Sequence, residues 1–164
     1  MIYNFKESLE KGDAIVQNHF VPYLEKKGLI WLDVGGSVAD RKYGIDGVMV
    51  NLESGASKTV QVKGDNLCHK TGNLYFETTK IIDTPSKGKM VRASLLYFIN
   101  PQGNKMYRMS IRELQYSWES LKNVSLGSKS VTSESNGSTW DKVGHPVPIC
   151  KLKEIIPSFK EIKI

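Results

Sequence analysis

The feature that most constrains the fold is a hairpin pattern at residues 44–65, which read GIDGVMVNLESGASKTVQVKGD. Two valine-rich runs flank a polar segment containing Gly55, and such runs joined by a short glycine-containing turn are typical of antiparallel strands. Each run also carries polar residues that a buried strand does not need. They are Asp46 in the first run, and Gln61 and Lys63 in the second.

The strand geometry predicts that these three polar side chains share one face of the hairpin. Side chains alternate between faces along a strand, so Gln61 and Lys63 are expected on the same face. With the turn centred on Gly55, antiparallel pairing places Asp46 opposite Lys63 and diagonal to Gln61. We therefore expect an acid, an amide and an ammonium group on one patch of an otherwise apolar hairpin.

The remaining sequence predicts an α/β (α+β) fold with a mixed central sheet in a single domain, residues 1–164. Apolar spacing in the first 28 residues indicates a helix that ends at Gly28 and is kinked at Pro22. Residues 123–140 are rich in serine and glycine, and we predict a mobile loop there. Strands are predicted at 29–36, 73–79, 94–100, 105–110 and 145–149 (the last as an edge strand), and helices at 111–122 and 150–156.

Composition narrows the function classes without choosing one. The chain has 164 residues and a formal charge of +6, which permits a polyanionic partner but does not demand one. No apolar run is long enough to span a membrane, and the N-terminus lacks the apolar region of a secretory signal. Cys68 and Cys150 lie far apart in sequence and neither belongs to a CxxC motif, so a structural zinc site is not expected. We expect a cytoplasmic location.

The polar patch of the hairpin has the donor types of a divalent-metal site. Mg²⁺ prefers oxygen ligands and keeps several waters. Asp46 offers a carboxylate, Gln61 an amide oxygen and Val62 a backbone carbonyl, with Mn²⁺ expected to substitute for Mg²⁺. Lys63 would then hold a water or neutralise charge on a phosphate. The alternative is an ordinary buried salt bridge between Asp46 and Lys63, with no chemistry attached.

The order GID and then QVK on the next strand resembles the PD-(D/E)XK nuclease superfamily. In that family the acid comes from the second strand and E-x-K from the third strand of an αβββαβ core. Three further segments are similar to family members: Gly12-Asp13 before Tyr23-Leu24, the segment KGDNLCHKTGNLYFET, and GHPVPICKL. The resemblance implies a restriction-endonuclease-like fold, similar to phage, bacterial and Holliday-junction-resolving members, and a Mg²⁺-dependent DNA endonuclease that leaves 5′-phosphate and 3′-hydroxyl ends.

The chain departs from this family pattern at the metal-binding acid. Gln61 stands where the family usually has glutamate, and Ile45 stands where the family name has proline. One negative charge fewer weakens the expected metal affinity, which leaves a second hypothesis open: a catalytically weak or inactive nucleic-acid-binding module. Asp13 is a further catalytic candidate, and an acid favoured at a helix start is an equal explanation for it.

Basic residues near the predicted site would contact a nucleic-acid backbone rather than bases. A solvated loop is the alternative for this segment, and homodimerisation is left open beside the expected DNA partner. The expected backbone contacts are Lys58, Lys70, Lys87, Lys89 and Arg92.

Overall fold

The computed structural model has a mixed α+β fold, as the sequence predicts, with a mixed central sheet flanked by helices. The described backbone covers residues 2–77, 91–135 and 138–164, and the described side chains cover residues 10–77, 91–130 and 143–164. Of the residues predicted to contact a nucleic acid, Lys87 and Lys89 lie outside these ranges.

Ten strands and seven α-helices are described. The strands are β1 (Ile2–Asn4), β2 (Leu29–Asp33), β3 (Gly47–Asn51), β4 (Ser57–Gly64), β5 (Asn73–Glu77), β6 (Leu95–Asn100), β7 (Lys105–Ser110), β8 (Lys129–Ser135), β9 (Ser138–Pro148) and β10 (Lys160–Lys163). The helices are α1 (Phe5–Ile15), α2 (Val21–Glu25), α3 (Val38–Tyr43), α4 (Cys68–Thr71), α5 (Ile111–Tyr116), α6 (Trp118–Val124) and α7 (Ile149–Ile155). No helix in the described part of the chain is long and apolar enough to cross a membrane.

The central sheet has six strands in the order β10-β7-β6-β4-β3-β2. β2, β3 and β4 form an antiparallel meander, and β6 lies parallel to β4 on its other side. β7 and β10 extend the sheet in antiparallel fashion. The predicted hairpin of residues 44–65 is therefore confirmed, and β4 occupies an interior position in the sheet.

The first helical segment packs on one face of the central sheet. Between α1 and α2, residues Val16–Phe20 form one π-helical turn, and Pro22 lies in the first turn of α2. Proline has no backbone N–H to donate, so it is tolerated in the first turn of α2, directly after the π-helical turn. The buried residues below this segment form the small core, which consists of Phe20, Leu24, Met49, Val60, Tyr97, Ile99 and Met106.

The opposite face of the central sheet carries the large core. A second sheet with the order β1-β8-β9-β5 contributes Leu74, Phe76 and Val147 to it, and α5, α6 and α7 close it. From the central sheet, Leu96 and Phe98 point into this core. Phe76 makes edge-to-face contacts with Phe98 and Trp118, so aromatic packing joins the two sheets.

The segment predicted as a mobile loop, residues 123–140, differs from the prediction. It contains the end of α6, all of β8 and the start of β9. Serine and glycine are weak strand formers, but seven consecutive pairs with β9 and a parallel pairing with β1 supply backbone hydrogen bonds that composition does not reveal. β9 lies between β8 and β5, so the strand predicted at 145–149 is an interior strand rather than an edge strand.

Candidate functional site

A left-handed glycine directs the chain from α3 into the strand that carries Asp46. Ser37 caps the start of α3 by accepting from the N–H groups of Ala39 and Asp40, and Gly44 ends the helix at a φ of 62°. A Cβ at Gly44 would lie 3.2 Å from Val91 Cγ2 and 3.4 Å from Gln61 Nε2. Glycine is therefore favoured here by the left-handed backbone conformation, and a Cβ would also crowd Val91.

The hairpin register is shifted by two residues from the predicted one. Gly47 pairs with Val60, and the Asp46 N–H donates to the Val60 carbonyl at 2.9 Å, so both residues face Val60. The regular pairing of β3 with β4 ends at Gly47, so Asp46 lies at its end, and Lys63 lies three residues beyond Val60 on β4. The predicted pairing of Asp46 opposite Lys63 is wrong, and a shift of two residues keeps the paired side chains of β3 and β4 on their predicted faces.

The carboxylate of Asp46 completes the hydrogen bonding of β4. Its Oδ2 accepts the backbone N–H of Val62 at 2.7 Å, where the regular pairing of β3 has ended. The N–H and C=O groups of one strand residue point to the same edge of the strand. The Val62 carbonyl is therefore directed toward the edge at which Asp46 lies, so the carboxylate and this carbonyl are on the same side of β4.

Gln61 is one of two buried polar or charged residues in the described part of the chain, at 5% exposure. In register it lies beside Leu96, on the face of the large core. Its Oε1 is buried and has no hydrogen-bond partner among the residues that the structure describes. A buried amide oxygen without a partner costs about 1–3 kcal/mol, so this oxygen is a strong candidate for binding something outside the chain.

Lys63 shares the Gln61 face of β4 and lies beside Phe98 in register. It is half-buried, whereas Gly64 at the end of the strand is exposed. Val60 and Val62 point to the opposite face, into or against the small core. The structure thus brings Gln61 and Lys63 to one face, as predicted, with Asp46 at the edge of the same strand.

Asp13 is not brought to this group by any described contact. It is exposed on α1 and makes no hydrogen bond or ion pair with another described residue. α1 contacts β4 through Ile15, whose Cδ1 would lie 2.5 Å from a Cβ at Gly64. Residues two apart on a helix do not face the same side, so Asp13 points away from this contact. Its catalytic role stays a prediction.

The predicted backbone-contacting residues lie in different places. Arg92 is nearest to the candidate site: its N–H donates to the Tyr43 carbonyl, and its guanidinium lies 5.1 Å from the Tyr43 ring centroid, next to Gly44. Lys58 is exposed at the far end of β4, and Lys70 is exposed on α4. The structure therefore gathers these residues into no single patch among its described side chains.

The donor set fits Mg²⁺ rather than a more demanding metal. The described residues contain no group of three His, Cys, Asp or Glu side chains that could hold a metal ion. Asp46, Gln61 and the Val62 carbonyl offer one charged and two neutral oxygen donors. Mg²⁺ is commonly bound through one or two carboxylates together with water and substrate phosphate, so a site this sparse suits it.

A polar cluster beside α4 was not foreseen from the sequence. Asn100 is fully buried, and its Nδ2 donates to the Asp65 carbonyl and lies 3.3 Å from His69 Nδ1. Its Oδ1 accepts from the N–H of Gly103. Burial raises the pKa of the neighbouring Cys68 thiol to about 11, so this thiol is protonated at neutral pH and is a poor nucleophile.

Comparison with known proteins gives no match. No protein-family model, no curated protein and no solved structure matches the chain. What this site does is therefore inferred from its own residues and geometry, and the resemblance carried by GID and QVK stays a prediction.

Proposed function

We propose that this protein is a metal-dependent DNA nuclease with a restriction-endonuclease-like αβββαβ core. The observation that carries the proposal is that Gln61 Oε1 is buried and has no hydrogen-bond partner among the described residues. Gln61 lies on β4, next to Val62, whose N–H donates to the Asp46 carboxylate. A purely structural glutamine at 5% exposure would be expected to satisfy its amide oxygen.

The order of the elements supports the proposed core. A helical segment precedes a three-stranded meander, with Asp46 at the start of the second strand and Gln61 and Lys63 on the third. β6 lies parallel to the third strand and comes after α4, β5 and residues 78–90 in the chain. The resemblance to the PD-(D/E)XK superfamily would assign the acid to β3 and the altered E-x-K to β4.

Asp46, Gln61 and the Val62 carbonyl would hold the metal ion. When bound, Mg²⁺ supplies Lewis-acid stabilisation of charge on the phosphate and a more acidic water. The bond from the Val62 N–H to Oδ2 orients the Asp46 carboxylate beside β4. Gln61 is buried, and its Nε2 would lie 3.4 Å from a Cβ at Gly44, so the amide lies beside the turn that precedes Asp46.

Lys63 would act on the phosphate rather than on the metal. Lys63 is half-buried on the same face of β4 as Gln61, and a cation in a partly dry site stabilises developing negative charge more strongly than one in water. The substrate we expect is duplex or branched DNA, cut within the chain and recognised through its backbone. Arg92, stacked on Tyr43 next to Gly44, is the described cation best placed to contact that backbone.

The test separates chemistry at Lys63 from general attraction to DNA. We expect Lys63→Ala to bind DNA as the parent does and to cleave it at least about tenfold more slowly, because the lysine acts on the transition state. Lys122→Ala, which removes an exposed helix lysine paired with Glu119, is the matched control and should cleave normally. Equal losses of binding and cleavage in Lys63→Ala would contradict the assigned role.

A binding-only module of the same fold is the second candidate function. The neutral Gln61, in place of an acid, favours it, because affinity for Mg²⁺ rises with the charge of the ligands. A panel of labelled duplex, branched and single-stranded DNA with Mg²⁺ or Mn²⁺ distinguishes the two functions. Binding without cleavage on every substrate would assign the module, and metal-dependent cleavage of any substrate would assign the nuclease.

A further inference from the structure

A second concave site lies on the other face of the central sheet, on the side of the small core. It is a groove of about 520 Å³ between the end of α2 and strands β3, β4, β6 and β7. Its polar walls are formed by Tyr23, Lys27, Lys58, Tyr97 and Arg108. This volume lies within the usual range of small-molecule sites.

The groove is strongly cationic. Lys27, Lys58 and Arg108 line it, and no aspartate or glutamate does so among the described residues. Lys160 on β10 pairs directly with Arg108 on β7, which adds a fourth positive charge beside the groove. Like charges placed directly opposite each other on neighbouring strands are destabilising, so this arrangement favours an anion that neutralises them.

Arg108 offers an unused donor in this groove. It is half-buried, and its Nε is buried without a hydrogen-bond partner among the described residues. Tyr97 lines the same groove, and burial raises the pKa of its hydroxyl to about 12, so the phenol stays neutral beside Arg108. A planar guanidinium with a free donor suits the paired oxygens of a phosphate or carboxylate.

The floor of the groove is apolar. Leu29, Met49 and Leu95 line it beside the ring of Tyr23. A bare inorganic anion gains nothing from such a surface, whereas a ligand with an aromatic or apolar body buries that body there. The groove therefore combines an anion-binding wall with an apolar floor.

This groove is separate from the candidate nuclease site. Lys58 and Lys63 are five residues apart on β4, which corresponds to about 17 Å along the strand. They also point to opposite faces, because Lys58 is on the side of Val60 and the small core. A ligand in the groove would not touch Gln61 or Lys63.

We propose that this groove binds a small phosphorylated ligand with an aromatic or apolar body, of which a nucleoside phosphate is the simplest example. The phosphate contacts Arg108 and the two lysines, and the body lies over Met49 and Leu95. A nucleic-acid backbone is the competing occupant, and the apolar floor favours a ligand with an apolar body over it.

The test is calorimetric titration of the full chain with ATP, AMP and inorganic phosphate as probes. We expect ATP to bind more tightly than inorganic phosphate, and its affinity to fall about tenfold in Lys58→Gln and in Arg108→Gln. Lys27→Gln and Lys26→Gln form a matched pair, since these lysines are exposed neighbours at the end of α2 and only Lys27 lines the groove. Lys27→Gln should weaken binding, and Lys26→Gln should not.

Three outcomes would overturn the proposal. The first is no binding of any probe by the parent, and the second is binding of inorganic phosphate as tight as that of ATP. The third is displacement of ATP by duplex DNA, together with a loss of DNA affinity in Lys58→Gln as large as the loss of ATP affinity. That result would assign the groove to a nucleic acid. Because Lys58 is exposed, its variant keeps the test decisive even if Arg108→Gln lowers the melting temperature.

Discussion

Asp46 has a structural role whatever else it binds. Its Oδ2 is the acceptor for the Val62 N–H at a point where β3 no longer supplies one. Replacing it by alanine removes both the negative charge and this acceptor, whereas asparagine keeps an oxygen for the same bond. The two substitutions therefore separate the structural and the metal-binding contributions of one residue.

Gln61→Glu tests at the residue scale whether position 61 faces a metal ion. We expect the variant without metal to be less stable than the parent, because it buries a second carboxylate near Asp46. Added Mg²⁺ or Mn²⁺ should recover the loss and should bind more tightly than to the parent, since binding to the folded state alone stabilises it. Melting temperature against metal concentration measures both effects.

Gln17→Glu is the matched control for this experiment. Gln17 is exposed on the π-helical turn, so its variant adds the same charge away from β4. It should show parent-like stability and metal response. Parent-like stability and metal affinity in Gln61→Glu itself would mean that position 61 does not face the metal, and that QVK is not an altered E-x-K.

The turn of the central hairpin explains which part of the candidate site could be predicted from the sequence. The period of two along a strand fixed the shared face of Gln61 and Lys63 correctly. The register depended on where the turn is centred, and Asn51 decides this: its Oδ1 accepts from the N–H groups of Glu53 and Ser54. Gly55, at a φ of 70°, only completes the turn. Side-chain bonding of this kind within a loop is not encoded in hydrophobic periodicity.

Strand β10 is an element that the sequence did not predict, and Glu161 connects it to its surroundings. Its carboxylate contacts Lys105 Nζ at 2.5 Å and Lys153 Nζ at 2.8 Å, which ties β10 to β7 and α7. We expect Glu161→Gln to lower the free energy of unfolding by about 0.5–1 kcal/mol, since each partly exposed ion pair is worth little. Glu154→Gln, which removes a single exposed pair with Lys151, should cost less.

The contribution of Glu161 depends on pH in a defined direction. Its hydrogen bonds to Lys105 and Lys153 hold the pKa of the carboxyl below its ordinary value. A depressed pKa stabilises the folded state at pH values above the ordinary value of about 4.3, and this stabilisation is lost as the pH falls through the folded pKa. The difference in stability between parent and Glu161→Gln, measured by urea unfolding, should therefore shrink below about pH 4. A difference that stays constant into acid would contradict the ion-pair explanation.

At the scale of the whole molecule, the second sheet is what local sequence patterns could not predict. β1 near the start of the chain pairs in parallel with β8, more than 100 residues later, and β5 pairs with β9 rather than with the central sheet. Pairings so distant in sequence depend on the packing of the large core. The hydrophobic periodicity and the composition of a sequence do not predict that packing. The central sheet, built largely from neighbouring strands, was predicted far better.

The two proposed sites use opposite faces of the central sheet. The proposed nuclease site includes Gln61 and Lys63, on the side of the large core, and the cationic groove lies on the side of the small core. β4 contributes to both through its alternating side chains. A defect at one site can therefore be measured without assuming a defect at the other.

The measurement that tests the central claim most directly is cleavage of labelled DNA by the parent and by Asp46→Asn. Both are assayed with Mn²⁺ and with a chelator, beside their melting curves. We expect metal-dependent cleavage by the parent and none by Asp46→Asn, which should melt closer to the parent than Asp46→Ala does, because it retains an acceptor for Val62. Asp33→Asn, an exposed acid on the neighbouring strand β2, is the control and should cleave normally. Parent-like cleavage by Asp46→Asn, or no cleavage of any DNA by the parent with Mn²⁺, would contradict the assignment of this protein as a nuclease.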